Sequence, residues 1–289
     1  MAIQEEIIAK VQEIPPLSTS ALELVTIMGK ADHDLQHTVH IVECDAGLTA
    51  KVLRAVNSAA FAIMEPTTSI AHAVSYLGEK MILGIALEAC TGSILRRPLK
   101  GYAGKSNALW EHNLRTAMAA KEVAKLAEED ISLDIAFTGG ILHDIGKAVL
   151  SEFLNGYAED MISKIDAGEA ADYIAAEHEM LGMDHSTVGY EVAHLWNLTF
   201  PLPEIIRFHH TPGKAKESVR ALVYAVHLGD IMAMMGGSGT GSDDMQYRLD
   251  AGFSDYIQIT QSDFEKIMLD VEVEFRKTKS SIFKRGESE

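Results

Sequence analysis

The 289 residues are 47% hydrophobic, enough for a substantial core in one large domain or two small ones. A formal net charge of −17 argues against a nucleic-acid backbone or an anionic membrane surface as the main partner, although a bound metal would reverse the local potential for an anionic substrate. No apolar run approaches the roughly 18 residues that span a bilayer, and the acidic start MAIQEEIIAKVQEI is unlike a signal peptide. Cys44 and Cys90, without CxxC spacing, read as reduced core residues of a cytoplasmic protein.

Helical periodicity dominates the chain. Ile7, Ile8, Val11 and Ile14 form a first stripe that Pro15-Pro16 ends. Leu22, Leu24, Val25 and Met28 predict a second helix. Three more short helices are predicted by Leu48, Val52, Leu53 and Val56, by Ile70, Val74 and Leu77, and by Met81, Ile82, Ile85 and Leu87. The polar stretch RRPLKGYAGKSN, residues 96–107, predicts a boundary. Beyond it longer helices are expected over 108–128, 133–154, 157–166, 171–180, 185–196, 203–210, 217–235 and 261–277. Glu111 and Arg115 make a favourable i,i+4 pair in the first, and Ser262-Asp263-Phe264-Glu265 matches a capping box at the start of the last. MMGGSGTGSDDMQ, residues 234–246, reads as a flexible loop. With no strand alternation and no internal repeat, the expected fold is all-α, an N-terminal helical subdomain over residues 1–100 packed on a helical bundle over 101–289.

The stretch GGILHDIGKAVL, residues 139–150, sets His143, Asp144, Lys147 and three glycines into an otherwise apolar helix. Glycine weakens a helix by roughly 1 kcal/mol relative to alanine, and buried ionisable groups cost several kcal/mol unless paired or metal-bound. His143 and Lys147 are i,i+4 and share a face, with Asp144 about 100° around the axis. His112 shares its face with Thr116, Ala119 and Val123, small enough for another helix to come close. His209 and His210 end a short helix between Pro203 and Pro212, where a cation is favoured. Asp230 lies in the apolar VYAVHLGDIMAMM, and His185 follows Asp184, a candidate N-cap. Five helices thus carry imidazole or carboxylate into apolar settings. That donor set, without thiolate, suits Zn, Fe, Mn or Ni rather than a Cys-type zinc site. The adjacent pairs His143-Asp144 and His209-His210 suit two metals a few Å apart. Singly, each residue has an ordinary explanation as a solvated or hydrogen-bonded side chain; their conjunction points to metal.

HDIGK, preceded by the helical His112 and followed by DHSTVG, RFHHTP and HLGD, resembles the HD superfamily of metal-dependent phosphohydrolases. IPPLSTSALEL, CDAGLTAKVLRAVNSAAF and PTTSIAHAVSYLGEKMIL narrow the resemblance to the HDOD family, the bacterial HD-related output domain, over residues 10–235. The resemblance implies that His112, His143, Asp144 and Asp230 hold one metal or bridge two, that His185, His209 and His210 complete a dinuclear set, and that Lys147 contacts a substrate phosphate. Lys147 and Asp144 are then the catalytic candidates. One or two divalent transition metals are expected, with Fe ranked first and Mn, Zn or Ni as alternatives. The GYP segment of cyclic-di-GMP phosphodiesterases is missing after the His pair, which counts against that substrate. Ala108 stands one turn before His112 where a carboxylate would serve a third metal.

Two functions follow from the resemblance. One is a metal-dependent phosphomonoesterase or phosphodiesterase acting on a nucleotide or another phosphate-containing small molecule. The other is a catalytically inactive regulatory or scaffold module of bacterial signal transduction. It would meet a protein partner through its N-terminal helices, with the metal structural or sensory. Of the remaining residues, His227 reads either as support for the metal ligands or as a hydrogen-bonded core histidine. His178 is cut off from His185 by Gly182 and Asp184. His33, His37, His40, His72 and His194 read as structural or surface, and Arg207 as solvated or phosphate-reaching. The thirteen methionines read as core filler.

Overall fold

The computed structural model describes residues 2–28, 34–61 and 66–282, so His33 lies outside the described residues. The described chain is all-α. Its one β feature is an isolated antiparallel bridge between Ala127 and Ile257. In chain order the helices are α1 (Ile3–Val11), α2 (Thr19–Met28), α3 (Leu35–Cys44), α4 (Ala46–Val56), α5 (Ile70–Leu77), α6 (Glu79–Leu95), α7 (Ala108–Ala124) and α8 (Leu133–Leu142). They continue as α9 (Ile145–Phe153), α10 (Ala158–Asp166), α11 (Tyr173–Leu181), α12 (His185–Leu195), α13 (Leu202–Phe208), α14 (Arg220–Met235) and α15 (Gln261–Ile282).

Contacts group these into two units: residues 2–16 with Ser93–Met268, and Leu17–Gly92 with the residues from 269 onward. This differs from the expected contiguous division into 1–100 and 101–289. Helix α1 belongs to the larger unit because its buried Ile7 and Val11 find their cover there, with Lys10 paired to Glu152 at 3.1 Å and Gln4 Nε2 donating to the Gly182 carbonyl at 3.0 Å. The end of α15 belongs to the smaller unit, where Lys277 lies 4.7 Å over the Phe61 ring. An apolar stripe goes where it can be buried, whatever its distance along the chain.

In the smaller unit α3, α4 and α5 pack on one another over an interior of Val39, Val42, Leu48, Val52, Val56 and Val74. Each of the three starts with a side-chain cap. Asp34 accepts from Gln36 N, Asp45 from Leu48 N and Ser69 from His72 N. The cysteines are not core residues as expected. Cys44 ends α3 exposed and Cys90 is half-buried, because neither falls on the apolar stripe of its helix.

In the larger unit α7, α8 and α14 form the central packing, with α12 on α9 and α13. The single helix expected over 133–154 is two. It breaks at His143-Asp144, with Asp144 at φ −97°, ψ 11°, so His143 and Lys147 do not share one continuous helical face. The glycines on either side of the break explain themselves by close approach. A Cβ on Gly140 would lie 2.5 Å from Ala117 Cα, and one on Gly146 would lie 2.0 Å from the His185 carbonyl oxygen. Both contacts are impossible, so α8 meets α7 and α9 meets α12 at a distance only glycine allows.

Residues Glu217–Met235 are long and apolar enough to cross a membrane, contrary to the expectation from apolar runs, but 83% of that stretch is buried inside the protein. It is the core helix of the bundle. Helix α15 is capped by Thr260 and Asp263 rather than by Ser262 and Glu265: Asp263 N donates to Thr260 Oγ1 and Thr260 N to Asp263 Oδ2. The expected Glu111–Arg115 pair is present at 3.5 Å.

Candidate metal centre

The larger unit brings all seven expected ligand residues to one place. His112 comes from α7, His143 and Asp144 from the α8–α9 break, and His185 from the first turn of α12. His209 and His210 follow α13, and Asp230 comes from α14. His112, His143, Asp144, His185, His209 and Asp230 are each no more than 2% exposed, and the His210 side chain is 6% exposed. Asp184 is the cap of α12, accepting from Thr187 N at 2.7 Å, and so fixes where His185 begins the helix.

Four of the five imidazoles are held through Nδ1. That nitrogen donates to the Ser238 carbonyl from His112 (2.6 Å), to the Gly140 carbonyl from His143 (2.8 Å) and to the Ile206 carbonyl from His209 (2.8 Å). From His185 it donates to the Glu177 carboxylate (2.8 and 3.0 Å). A neutral imidazole that donates through one nitrogen offers a lone pair at the other. The Nε2 atoms converge on Asp144. Its Oδ2 lies 3.6 Å from His112 and 3.5 Å from His143. Its Oδ1 lies 3.2 Å from His185 and 3.5 Å from His209. His112 and His143 face each other Nε2 to Nε2 at 3.3 Å, as do His185 and His210 at 3.1 Å. Asp230 Oδ1 is 3.0 Å from His112 Nε2, and its Oδ2 is 3.8 Å from His210 Nδ1. The ligand atoms of His112, His143 and Asp144 lie within 4.8 Å of one another, and so do those of Asp144, His185, His209 and His210. Asp144 is common to both sets.

Two tests of fit to a cation agree. Asp144 Oδ1, His209 Nε2, His210 Nδ1 and Asp230 Oδ2 are buried and make no hydrogen bond. Orphaned atoms are rare in proteins, and these four belong to four residues of the one cluster. The donors are imidazole and carboxylate throughout, the set that suits Fe, Mn, Zn and Ni. Titration follows the same geometry. Burial pulls His209 down to about 4 and His210 well below its ordinary value. Burial opposes protonation of His185 too, but the charge and hydrogen bond of Glu177, with the Asp144 carboxylate 3.2 Å from Nε2, push it up to about 10. Burial would raise the two aspartates; Lys147 with the histidines around Asp144, and His112 with His143 beside Asp230, hold both well below the usual range. His185 would give up that proton to hold a metal through Nε2.

Lys147 does not face an open cavity. Its ammonium lies 2.7 Å from Asp144 Oδ2 and 2.6 Å from Asp243 Oδ2, and donates to Thr240 Oγ1 at 3.2 Å. Burial would lower its pKa, but Asp144, Asp243 and Asp230 hold it above the ordinary lysine value. Thr240 and Asp243 belong to residues 234–246, the segment expected to be a flexible loop. That segment is folded into the bundle: Ser242 N donates to the Tyr102 carbonyl at 2.6 Å, and Tyr173 OH and Ser242 Oγ are 2.9 Å apart.

Sequence reasoning missed Glu177 and Asp243. Glu177 is fully buried and accepts from the His185 backbone N at 2.8 Å and from Tyr102 OH at 2.6 Å. A signal existed: Glu177 is four residues from both Tyr173 and Leu181, the buried face of α11. Asp243 carries none, being one of several acids in a glycine-rich stretch. His227 is the hydrogen-bonded core histidine of the two readings. Its Nδ1 donates to the His209 carbonyl at 2.8 Å, and its Nε2 accepts from Asp250 N at 2.9 Å. Arg207 is tied to Asp184 and Thr187, outside the cluster. His178 and His194 are exposed, as are His37, His40 and His72 in the smaller unit.

A family model described as the HDOD domain matches residues 14–212. The fold is similar to the crystal structure of an HDOD domain protein of unknown function from Geobacter sulfurreducens, at 19% identity and TM-score 0.67 over 97% of this chain and 96% of that one. It is similar to a candidate phosphohydrolase from Shewanella amazonensis at 21% identity and TM-score 0.66, over 96% and 98% of the two chains. A candidate signal transduction protein from Marinobacter aquaeolei matches at 19% identity and TM-score 0.74, over 97% of this chain and 61% of its own. In sequence, an uncharacterized protein of Treponema pallidum is 26% identical over 219 residues, which is 75% of this chain; the chain spans 41% of that protein's length.

Proposed function

The chain belongs to the HDOD domain family, and from that premise we propose that its buried cluster is a one- or two-metal centre for phosphoester hydrolysis. The observation that carries the reading is the convergence of four Nε2 atoms on Asp144, each imidazole being fixed through Nδ1. Outer-shell hydrogen bonds of this kind set tautomer and ring orientation at metal sites. His112, His143, Asp144 and Asp230 would hold one ion; Asp144, His185, His209 and His210 would hold a second. Fe ranks first, with Mn, Zn and Ni as alternatives. Such ions supply Lewis-acid polarisation of a phosphoryl oxygen and lower the pKa of an attacking water.

The chain's own residues complete the chemistry. Lys147 is the cation that meets a phosphate oxygen and stabilises charge developing there. Asp144 joins the two halves of the ligand set and holds Lys147 beside them. The packed helices α7, α8 and α14 keep the cluster out of bulk solvent. The substrate class is a nucleotide or another small phosphoester, and the setting is the cytoplasm of a bacterium. The test is elemental analysis of purified protein, with turnover of nucleoside monophosphates, cyclic nucleotides and a chromogenic diester measured on the same preparation. Hydrolysis proportional to metal content is expected. Full metal content with no turnover would overturn the enzyme reading.

That outcome would favour the second reading, a regulatory module with a structural or sensory metal and a protein partner. One observation speaks for it: the cluster is buried, and Lys147 is already paired on two sides.

A further inference from the structure

Besides the helices, the chain that leaves α14 and runs through residues 236–250 lines the cluster. Four groups on that segment reach inward. The Ser238 carbonyl accepts from His112. The Tyr247 ring stacks on His210, with centroids 4.1 Å apart and planes 19° apart. Thr240 and Asp243 take Lys147. The centre of this contact is the Asp243 carboxylate, 1% exposed. Its Oδ2 accepts from Lys147 Nζ at 2.6 Å, from Thr240 Oγ1 at 2.7 Å and from Tyr247 OH at 2.8 Å.

Three donors, one of them charged, around one buried oxygen make an oxyanion site. Nothing in the chemistry of these donors is specific to a carboxylate. An ammonium and two hydroxyls suit a phosphate oxygen equally well, and they lie beside Asp144, the residue common to both metal sets. We propose that Lys147, Thr240 and Tyr247 form a phosphate-binding subsite and that the chain's own Asp243 fills it, so that a phosphorylated ligand enters only by displacing the Asp243 side chain. The inference rests on the metal-centre reading for its location, but not for its test. Asp243 then acts as an internal competitor: it keeps Lys147 neutralised when the site is idle and sets a threshold of affinity that weak oxyanions fail to pass. Because Asp243 sits on a segment tied to Tyr102 and Tyr173 rather than on a helix, its displacement need not unpack the bundle.

The experiment compares wild type with Asp243→Ala and Asp243→Asn, each with its metal content measured, using inorganic phosphate and acetate as probes. Binding is read by calorimetry and by the shift in melting temperature. Asp243→Ala is expected to bind phosphate at least about tenfold more tightly than wild type, since a buried like charge has been removed from beside the anion, and to regain melting temperature as phosphate is added. Asp243→Asn, which keeps the shape and loses the charge, is expected to fall between the two. Rescue of Asp243→Ala by acetate but not by phosphate would overturn the proposal, because Asp243 would then be a structural carboxylate in a space too small for a phosphate. Equal phosphate affinity in all three proteins would overturn it as well. A metal-free preparation, or one without turnover, bears on the hydrolase reading and leaves the phosphate comparison intact.

Discussion

The two units of this protein solve the same packing problem with different interiors. In the smaller unit the buried polar side chains on helices α3 and α6 are hydroxyls with partners inside the unit: Thr38 donates to Glu79 and Thr91 to the Leu87 carbonyl. Its described histidines, His37, His40 and His72, lie outside. In the larger unit six imidazoles, two ligand-type aspartates and a lysine turn inward, together with Glu177 and Asp243. Ionisable groups buried without partners cost several kcal/mol each. A helical bundle therefore has no need of such an interior, as the smaller unit demonstrates. On the metal-centre proposal, the difference is that the charged interior is kept for what it binds, and its stability is expected to follow its occupancy.

Breaking that interior should cost far more than any change in the smaller unit. The largest effect is expected from Lys147→Ala, which leaves Asp144 and Asp243 buried without their cation. A loss of about 3–5 kcal/mol is expected in urea unfolding. Where hydrolysis is detected, a drop on the order of 30- to 1000-fold in kcat should accompany it, the equivalent of about 2–4 kcal/mol. An unfolding midpoint equal to wild type would show that the buried pairs are not what holds this region together.

Next is Asp144→Ala. It removes the residue shared by both ligand sets, so elemental analysis should find most of the metal gone and calorimetry a lower melting temperature. Retention of full metal content would exclude Asp144 as a central ligand. Glu177→Gln is milder. The amide still fills the space but no longer charges the His185 Nδ1 contact, and metal affinity should weaken about 10- to 100-fold, measured by competition with a chelator. The smallest effect belongs to the other unit. Asp45 caps α4 and accepts from Ser20 Oγ at 2.9 Å; Asp45→Ala should cost about 1 kcal/mol and leave metal content unchanged. A change in metal content there would break the separation between the two interiors.

Much of this contrast was legible in the sequence, for a physical reason. Ligand residues such as His112 and Asp230 stand out because they interrupt apolar helical stripes, and a stripe's buried face can be read from spacing alone. The break at His143-Asp144 was not legible, because glycine and apolar neighbours there fit a continuous helix as well as a kinked one; only the close approach of α7 and α12 decides it. The segment 234–246 reads as a linker for the same reason it works as a wall. Its glycines and polar residues show no apolar stripe, and the partners that fix it to the bundle, Lys147, Tyr102 and Tyr173, are distant in the chain. The assignment of α1 and the end of α15 to different units likewise depends on contacts that spacing does not encode.

The central claim is that the charged interior exists to hold a divalent metal. The most direct test is elemental analysis of protein purified without added metal, followed by its melting temperature before and after chelation. The account predicts one or two equivalents of a transition metal per chain, iron foremost, and a melting temperature that falls on chelation and returns when metal is restored. Protein that is metal-free as purified, takes up none when it is offered, and melts at the same temperature with or without chelator would contradict it.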